Sequence, residues 1–362
     1  MIDRIGLEFE WLAPKGYSRK TFAQYLQGSI GGSLKSFWHP QVELSKVPNT
    51  PLFHNLTQGF AVFDREGKKI AHTVGDLTIQ ADLDRNEASK IGWQRVVSDD
   101  LRILNLISIH APSNQLIIED VLDPIAKLFG TELKVMGPIA RVEDTNNASV
   151  ALGTGLPGER ERVCEVVSGI LVRPQKKDIQ MLITPAQKLQ FSIPKESATH
   201  IHFCARSLQN STVFQRLIFF FHTYRQVLRG LFQTNPNCIR LGDWSPELLN
   251  TVCQPSFTGR TWAENQNILK GLPLSKYCDF NIKNTIFAFP KKNTFEVRIL
   301  PGLMEAQPIW NALTLFEKIF SYIANHPIAM SSPKSDTAKN RKKMLRKIHA
   351  ENWDLWKTSK DV

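Results

Sequence analysis

Apolar and polar residues alternate strictly at the start of the chain. Ile5, Leu7, Phe9 and Trp11 fall on one side, and Gly6, Glu8 and Glu10 on the other. That spacing predicts a strand sending both carboxylates to one face. The same reading predicts strands at 60–63, 77–83 and 93–97, punctuated by Gly67, the Gly75-Asp76 pair and Gly92, and later ones at 163–171, 199–205 and 294–299. Helical spacing marks 120–129, with Gly130 as its stop, then 177–189, the long 211–232, and a closing 308–325. The stretch holding Gly28 to Ser33, Pro40, Pro48 and Pro51 reads as loop-rich. Residues 145–160, with Gly153, Gly155, Pro157 and Gly158, read as a mobile loop. Strands and helices do not alternate regularly and no repeat is visible. The expected class is therefore α+β, a mainly antiparallel sheet flanked by helices rather than a doubly wound parallel one.

Several of these strands carry unusual residues on their polar face. Glu165 stands in the apolar run Val163 to Val167. His200 and His202 share one face, with Ile201 and Phe203 opposite, and Glu296 and Arg298 share another. Residues two apart on a strand point the same way, so each pair can project into a common cavity. Crowded, half-buried carboxylates repel unless cations or protons lie between them. Magnesium takes hard oxygen ligands and keeps substrate phosphate oxygens in its shell. An arginine holds phosphate bidentately. Taken singly, each pair has a plainer reading: a solvated edge for Glu-x-Glu, hydrogen-bonding histidines for His-x-His, a surface ion pair for Glu-x-Arg.

Composition narrows the field. The 362 residues are 42% hydrophobic and 22% charged, ordinary for a globular protein with a sizeable core. The richest apolar run, Leu217 to Phe221, is stopped by His222 and Arg225, so no membrane span is expected. Charges in the first ten residues argue against a secretory signal, and the expected location is cytoplasmic. Five widely spaced cysteines without a C-x-x-C pair argue against a disulfide framework or a structural zinc site. The net charge is +11, and 331–362 alone carry nine Lys or Arg against four Asp or Glu. This tail contains the basic run Lys339 to Lys347 followed by Trp353 and Trp356. It reads either as a solvated terminal helix docking by its tryptophans or as a surface for nucleic acid, an acidic membrane or an acidic partner.

The segments GLEFEW (6–11), CEVVSGIL (164–171), THIHFCARSL (199–208) and FEVRILPG (295–302) resemble, in order, four motifs of the putative amidoligase family. The likeness extends more distantly to glutamine synthetase and glutamate–cysteine ligase. It implies a glutamine synthetase-like catalytic funnel over residues 1–330, with 331–362 as a basic helical tail. It also implies an ATP- and magnesium-dependent ligase joining a small-molecule or peptide carboxylate to an amine through an acyl phosphate. By position, Glu8, His200 and Glu296 would hold one magnesium, and Glu10 and Glu165 a second near the carboxylate substrate. His202 would contact the ATP phosphates, and Arg298 would stabilise the phosphoryl group in transfer. A further acidic metal ligand is expected among Asp76, Asp82, Asp99 and Asp100. Asp100 is favoured because Asp99-Asp100 follows a segment opened by Trp93, although Leu101 and Arg102 stand where the family commonly has a serine.

Other residues enter with two readings each. Arg240 and Trp244 either touch nucleotide or pack in the core, Asn281 is a candidate lining residue, and Glu159 a candidate base for the incoming amine. Gly28 to Ser33 lacks the lysine and helix context of a P-loop. Two rival functions remain: a metal-dependent phosphoesterase or nuclease, and a non-catalytic nucleic-acid-binding or scaffold protein on a decayed ligase fold.

Overall fold

A computed structural model of the chain describes residues 3–44, 52–115, 117–290 and 292–328. The basic tail at 331–362, with its predicted helix, lies outside the described residues, as do Pro48 and Pro51. The elements begin with β1 (Arg4–Leu12), α1 (Arg19–Ile30), β2 (Ser33–Leu44), β3 (Leu52–Phe63), β4 (Lys69–Val74) and β5 (Gln94–Ser98). Next come α2 (Leu101–His110), α3 (Ile118–Leu128), β6 (Lys134–Met136), β7 (Ile139–Glu143), β8 (Ser149–Gly155), β9 (Val163–Ser168), β10 (Leu171–Val172) and α4 (Lys176–Lys188). The remainder is β11 (Ala198–Cys204), α5 (Ser211–Leu231), α6 (Pro246–Cys253), α7 (Trp262–Lys270), β12 (Phe280–Asn281), α8 (Lys283–Phe287), β13 (Thr294–Pro301) and α9 (Ala306–Asn325). The fold is α+β with mostly antiparallel strands, as expected. No helix among the described residues is long and apolar enough to cross a membrane. All five cysteines are free thiols.

The described residues fall into two compact units. The first comprises 3–8, 170–183 and 197–328, and the second 9–169 and 184–196, counting described residues only. Strand β1 and helix α4 each contribute to both.

In the first unit the strand order is β12-β13-β11-β1, with β10 also paired to β1. Phe203, Phe295, Val297 and Ile299 are wholly buried on these strands. Helices α5 and α9 cover that face. Phe221 of α5 stacks within 4.5 Å of Phe280 and 5.0 Å of Phe295, and Phe320 of α9 lies 5.0 Å from Phe203. Such aromatic packing adds roughly 0.5–1.5 kcal/mol per pair beyond area burial. It makes one face of β11 and β13 immovable, so the residues alternating with those phenylalanines are held on a rigid base.

In the second unit the order is β9-β4-β3-β5-β8-β7-β6, with β2 on the other edge of β3. Helices α2 and α3 close over Leu56, Val96, Val142 and Ala151. Helix α1 begins at a capping box between Ser18 and Thr21. Its Arg19 is fully buried: Nε donates to the Gln58 carbonyl, Nη1 to those of Arg160 and Val163, and the guanidinium lies 4.4 Å over Trp93. Burial lowers its pKa to about 9.

Three sequence expectations are corrected in this unit. The stretch after β1 is not loop: α1 runs through Gly28 and ends at Gly31, and Pro40 lies within β2. Pro40 is tolerated there because β2 pairs on one side only, so its missing N–H breaks no ladder. The strand predicted at 77–83 is a series of turns, because Asp76 Oδ1 accepts from the Thr78 amide at 2.8 Å and bends the chain. The loop predicted at 145–160 contains β8. Gly153 belongs to that strand because α3 packs directly on its backbone: a Cβ there would meet Ile118 Cγ1 at 2.5 Å and Leu122 Cδ1 at 2.7 Å. Helices α2, α6, α7 and α8 and strands β4 and β7 were likewise not anticipated from periodicity.

This packing predicts that Gly153→Val destabilises the second unit by about 1–3 kcal/mol. Urea unfolding followed by tryptophan fluorescence should show the midpoint falling, and an unchanged midpoint would show that α3 does not rest on β8.

Candidate functional site

The register of the first unit places three polar residues in one row. Asn281 lies opposite Glu296, and Glu296 opposite His202. Between Val297 and Leu300, β13 spends one residue more than β11 does between Thr199 and Ile201, a bulge facing His200. Bulges re-aim side chains where ladder pairing is interrupted. Here the bulge lies beside both His200 and Arg298.

Glu8 of β1 receives both histidines. His200 Nδ1 is 3.1 Å from Glu8 Oε2, and His202 Nε2 is 3.0 Å from Glu8 Oε1. Glu296 Oε1 accepts from Arg298 Nη1 at 2.6 Å and lies 3.7 Å from His200 Nδ1 and 3.9 Å from His202 Nε2. Glu296 Oε2 accepts from Asn281 Nδ2 at 2.6 Å, and Asn281 Oδ1 accepts from the Lys283 amide at 2.9 Å. The second bond fixes which way the Asn281 amide faces. His202 Nδ1 lies 3.2 Å from Thr294 Oγ1. Behind the row, the buried Asp279 carboxylate takes Arg225 Nε at 2.6 Å and Arg229 Nη1 at 2.9 Å, while its carbonyl accepts the Arg298 amide at 3.0 Å. Asp279 thereby ties the entry to β12 onto α5 and β13.

The electrostatics follow from this crowding. Burial pushes the Glu8 carboxyl up, but the His202 charge and the close approach of both histidines outweigh it and hold Glu8 well below its usual range. Burial raises Glu296 too, yet His202 and Arg298 draw it down. Burial also works against a charged His202, and here Glu8 and Glu296 prevail, so its pKa rises. For His200, burial and Arg298 win over the two carboxylates, so its pKa falls. The two histidines are thus shifted in opposite directions, His202 toward holding a proton and His200 toward losing one.

The donor atoms of Glu8, His202 and Glu296 all lie within 4.8 Å of one another. Two carboxylates and an imidazole are an acceptable set for a divalent cation. His202 Nε2 supports that fit. It is buried, and despite its nearness to Glu8 it has no aligned hydrogen-bond partner. The Nδ1 side, on the Thr294 hydroxyl, supplies the orienting contact that ligating histidines usually have.

The other candidates are placed as follows. Glu10 and Glu165 belong to the second unit. Glu10 is buried on β1, and Glu165 half-buried on β9, opposite Val74 of β4. Asp100 caps α2, accepting from the Arg102 amide at 2.8 Å and pairing with the exposed Arg102 guanidinium. Asp82 accepts from the Lys195 amide at 2.7 Å, and Asp76 is engaged in its turn. Local bonds therefore account for Asp76, Asp82 and Asp100. Arg240 lies 5.1 Å from the centre of the Tyr277 ring. Trp244 is a core residue, its indole N–H on the Phe280 carbonyl at 2.7 Å. Glu159 is paired with Lys15 and Arg162 in the second unit. Thr294 and Asp279 were not anticipated. Thr294 stands two residues before Glu296, so strand periodicity alone points to it.

No family model, curated protein or solved structure matches the chain.

The ion pairing fixes a pH window. Glu8, depressed on folding, stabilises fully above its ordinary 4.5 and loses that contribution as pH falls. His202, raised on folding, stabilises fully below its ordinary 6.5 and loses it as pH climbs through the folded value. Imidazole NMR titrations should accordingly place His202 above 6.5 and His200 below it, with Glu8→Gln lowering the His202 midpoint. The reverse order of the two histidines would refute the pairing.

Proposed function

We infer that the chain is an ATP- and magnesium-dependent ligase that forms an amide between a small-molecule or peptide carboxylate and an amine, on a glutamine synthetase-like funnel. The observation that carries this reading is the convergence of Glu8, His202 and Glu296 with Arg298, residues drawn from three strands. Glu8, His202 and Glu296 would hold the cation, and His200, bonded to Glu8, would orient that carboxylate. The two histidines thus exchange the duties that the family resemblance assigns them. Glu10 and Glu165 remain the residues assigned to a second cation and to the carboxylate substrate. Arg240 remains a nucleotide contact only as part of this proposal.

The reaction takes two displacements. A substrate carboxylate oxygen attacks the γ-phosphorus of ATP, and the bond to the bridging oxygen breaks, releasing ADP. The amine nitrogen then attacks the acyl carbon, the carbon–oxygen bond to phosphate breaks, and the amine gives up a proton. Both anions in the first step need fixed positive charge around them. Arg298 contributes it, held in place by Glu296 at 2.6 Å. When bound, the divalent cation supplies further charge to the phosphate oxygens. Asn281 keeps Glu296 from turning, and Thr294 fixes the His202 ring.

A second reading, a metal-dependent phosphoesterase, is favoured by the imidazole in the donor set, which suits softer ions than magnesium. Phosphate released from an ester without ATP would select it.

Two measurements test the ligase. Glu296→Gln and Arg298→Ala should each reduce ADP formation from ATP, carboxylate and amine by about 100-fold or more while circular dichroism is unchanged. Undiminished turnover in both removes the site. Calorimetric titration of magnesium near pH 6.5, repeated in buffers of different ionisation heat, should show proton release on binding, from His202. Binding without proton release would mean that His202 is not a ligand.

A further inference from the structure

The second unit contains a cleft of about 210 Å³ lined by Gln80, Asp84, Arg85, Arg95, Glu159 and Arg160 among others. Nothing in the proposed ligase chemistry uses it. Its walls are two loops, 80–85 and 157–160, locked together by reciprocal bonds. The Asp84 amide donates to Glu159 Oε2 at 3.1 Å, and the Glu159 amide to the Asp84 carbonyl at 3.2 Å. Gly158 permits this approach: its φ is +64°, and a Cβ there would stand 3.0 Å from the Asp84 carbonyl oxygen. Arg160 Nη2 adds a bond to the Asp76 carbonyl at 3.1 Å. The cleft is therefore built in advance.

Its charge is one-sided. Both lining carboxylates are already answered locally. Glu159 pairs with Lys15 and Arg162, and Asp84 Oδ1 accepts from the Asn86 amide at 2.9 Å. Three arginines, Arg85, Arg95 and Arg160, line it against two carboxylates. Arg85 is exposed on its loop, whereas Arg95 rises half-buried from β5 between Thr57 and Thr154 of the neighbouring strands. A planar fork of donors from a strand and another from a loop suit a carboxylate or phosphate oxygen pair. The volume is below that of drug-sized sites, which run from roughly 300 Å³ upward.

We propose that this cleft binds a small anion carrying a phosphate or carboxylate group, with Arg85 and Arg95 as its contacts. The site belongs wholly to the second unit and stands whether or not the first unit is a ligase.

The test is calorimetric titration of the full-length protein with sodium phosphate and, separately, sodium glutarate, at low and high sodium chloride. The expected result is saturable binding of at least one anion that weakens with salt. Arg85→Gln and Arg95→Gln should each weaken it roughly tenfold, and Arg298→Ala should leave it unchanged. Whichever anion binds tighter identifies the headgroup. Arg85 is on an exposed loop, so its variant remains informative even where Arg95→Gln perturbs the strand. No saturable binding of either anion, binding undisturbed by both arginine variants, or equal weakening by Arg298→Ala would each overturn the proposal.

Discussion

Half-buried Glu8 and buried Glu296 are held around the same pair of imidazoles, so their negative charges must be offset within a small space. The raised proton affinity of His202 and the guanidinium of Arg298 both act to offset them. The rest of the first unit follows from keeping those groups together. Phenylalanines on the opposite face of β11 and β13 prevent the strands from relaxing apart. Asn281 and Asp279 hold the short strand β12 and the bulged part of β13 in register. The proposed cation site would draw on this crowding, since a bound cation would offset the same charges.

Much of this was legible in the chain. Period-two alternation gave β1, β9, β11 and β13 nearly to their ends, and helical spacing gave α3, α4, α5 and α9. The alternation also placed Glu8, His200, His202, Glu296 and Arg298 on polar faces. Pairing was not legible, since register is a tertiary property. The bulge opposite His200 and the Asn281–Glu296–His202 row depend on which strands lie together. The sequence also could not separate the two histidines, whose spacing is identical. Only distances to Glu8, Glu296 and Arg298 give them opposite proton affinities.

The misreadings share one cause. Gly28, Gly153 and Gly155 were taken as punctuation, whereas Gly28 lies inside α1 and the other two inside β8. At Gly153 the missing side chain is filled by a neighbouring helix, so the residue reports close packing rather than a turn. Asp100 carries a second signature beside the one read from the motif. A carboxylate just before an apolar run also has the signature of a helix cap, and α2 begins there.

Arg19 has a consequence for assembly. One guanidinium gathers carbonyls from residue 58 and from residues 160 and 163, so α1 cannot seat its first turn until strands more than a hundred positions downstream have arrived. A nascent chain stopped before residue 160 would leave the Arg19 Nη1 without either acceptor. The second unit is thus bound to complete late in synthesis and as a whole, with its earliest helix the last to be secured.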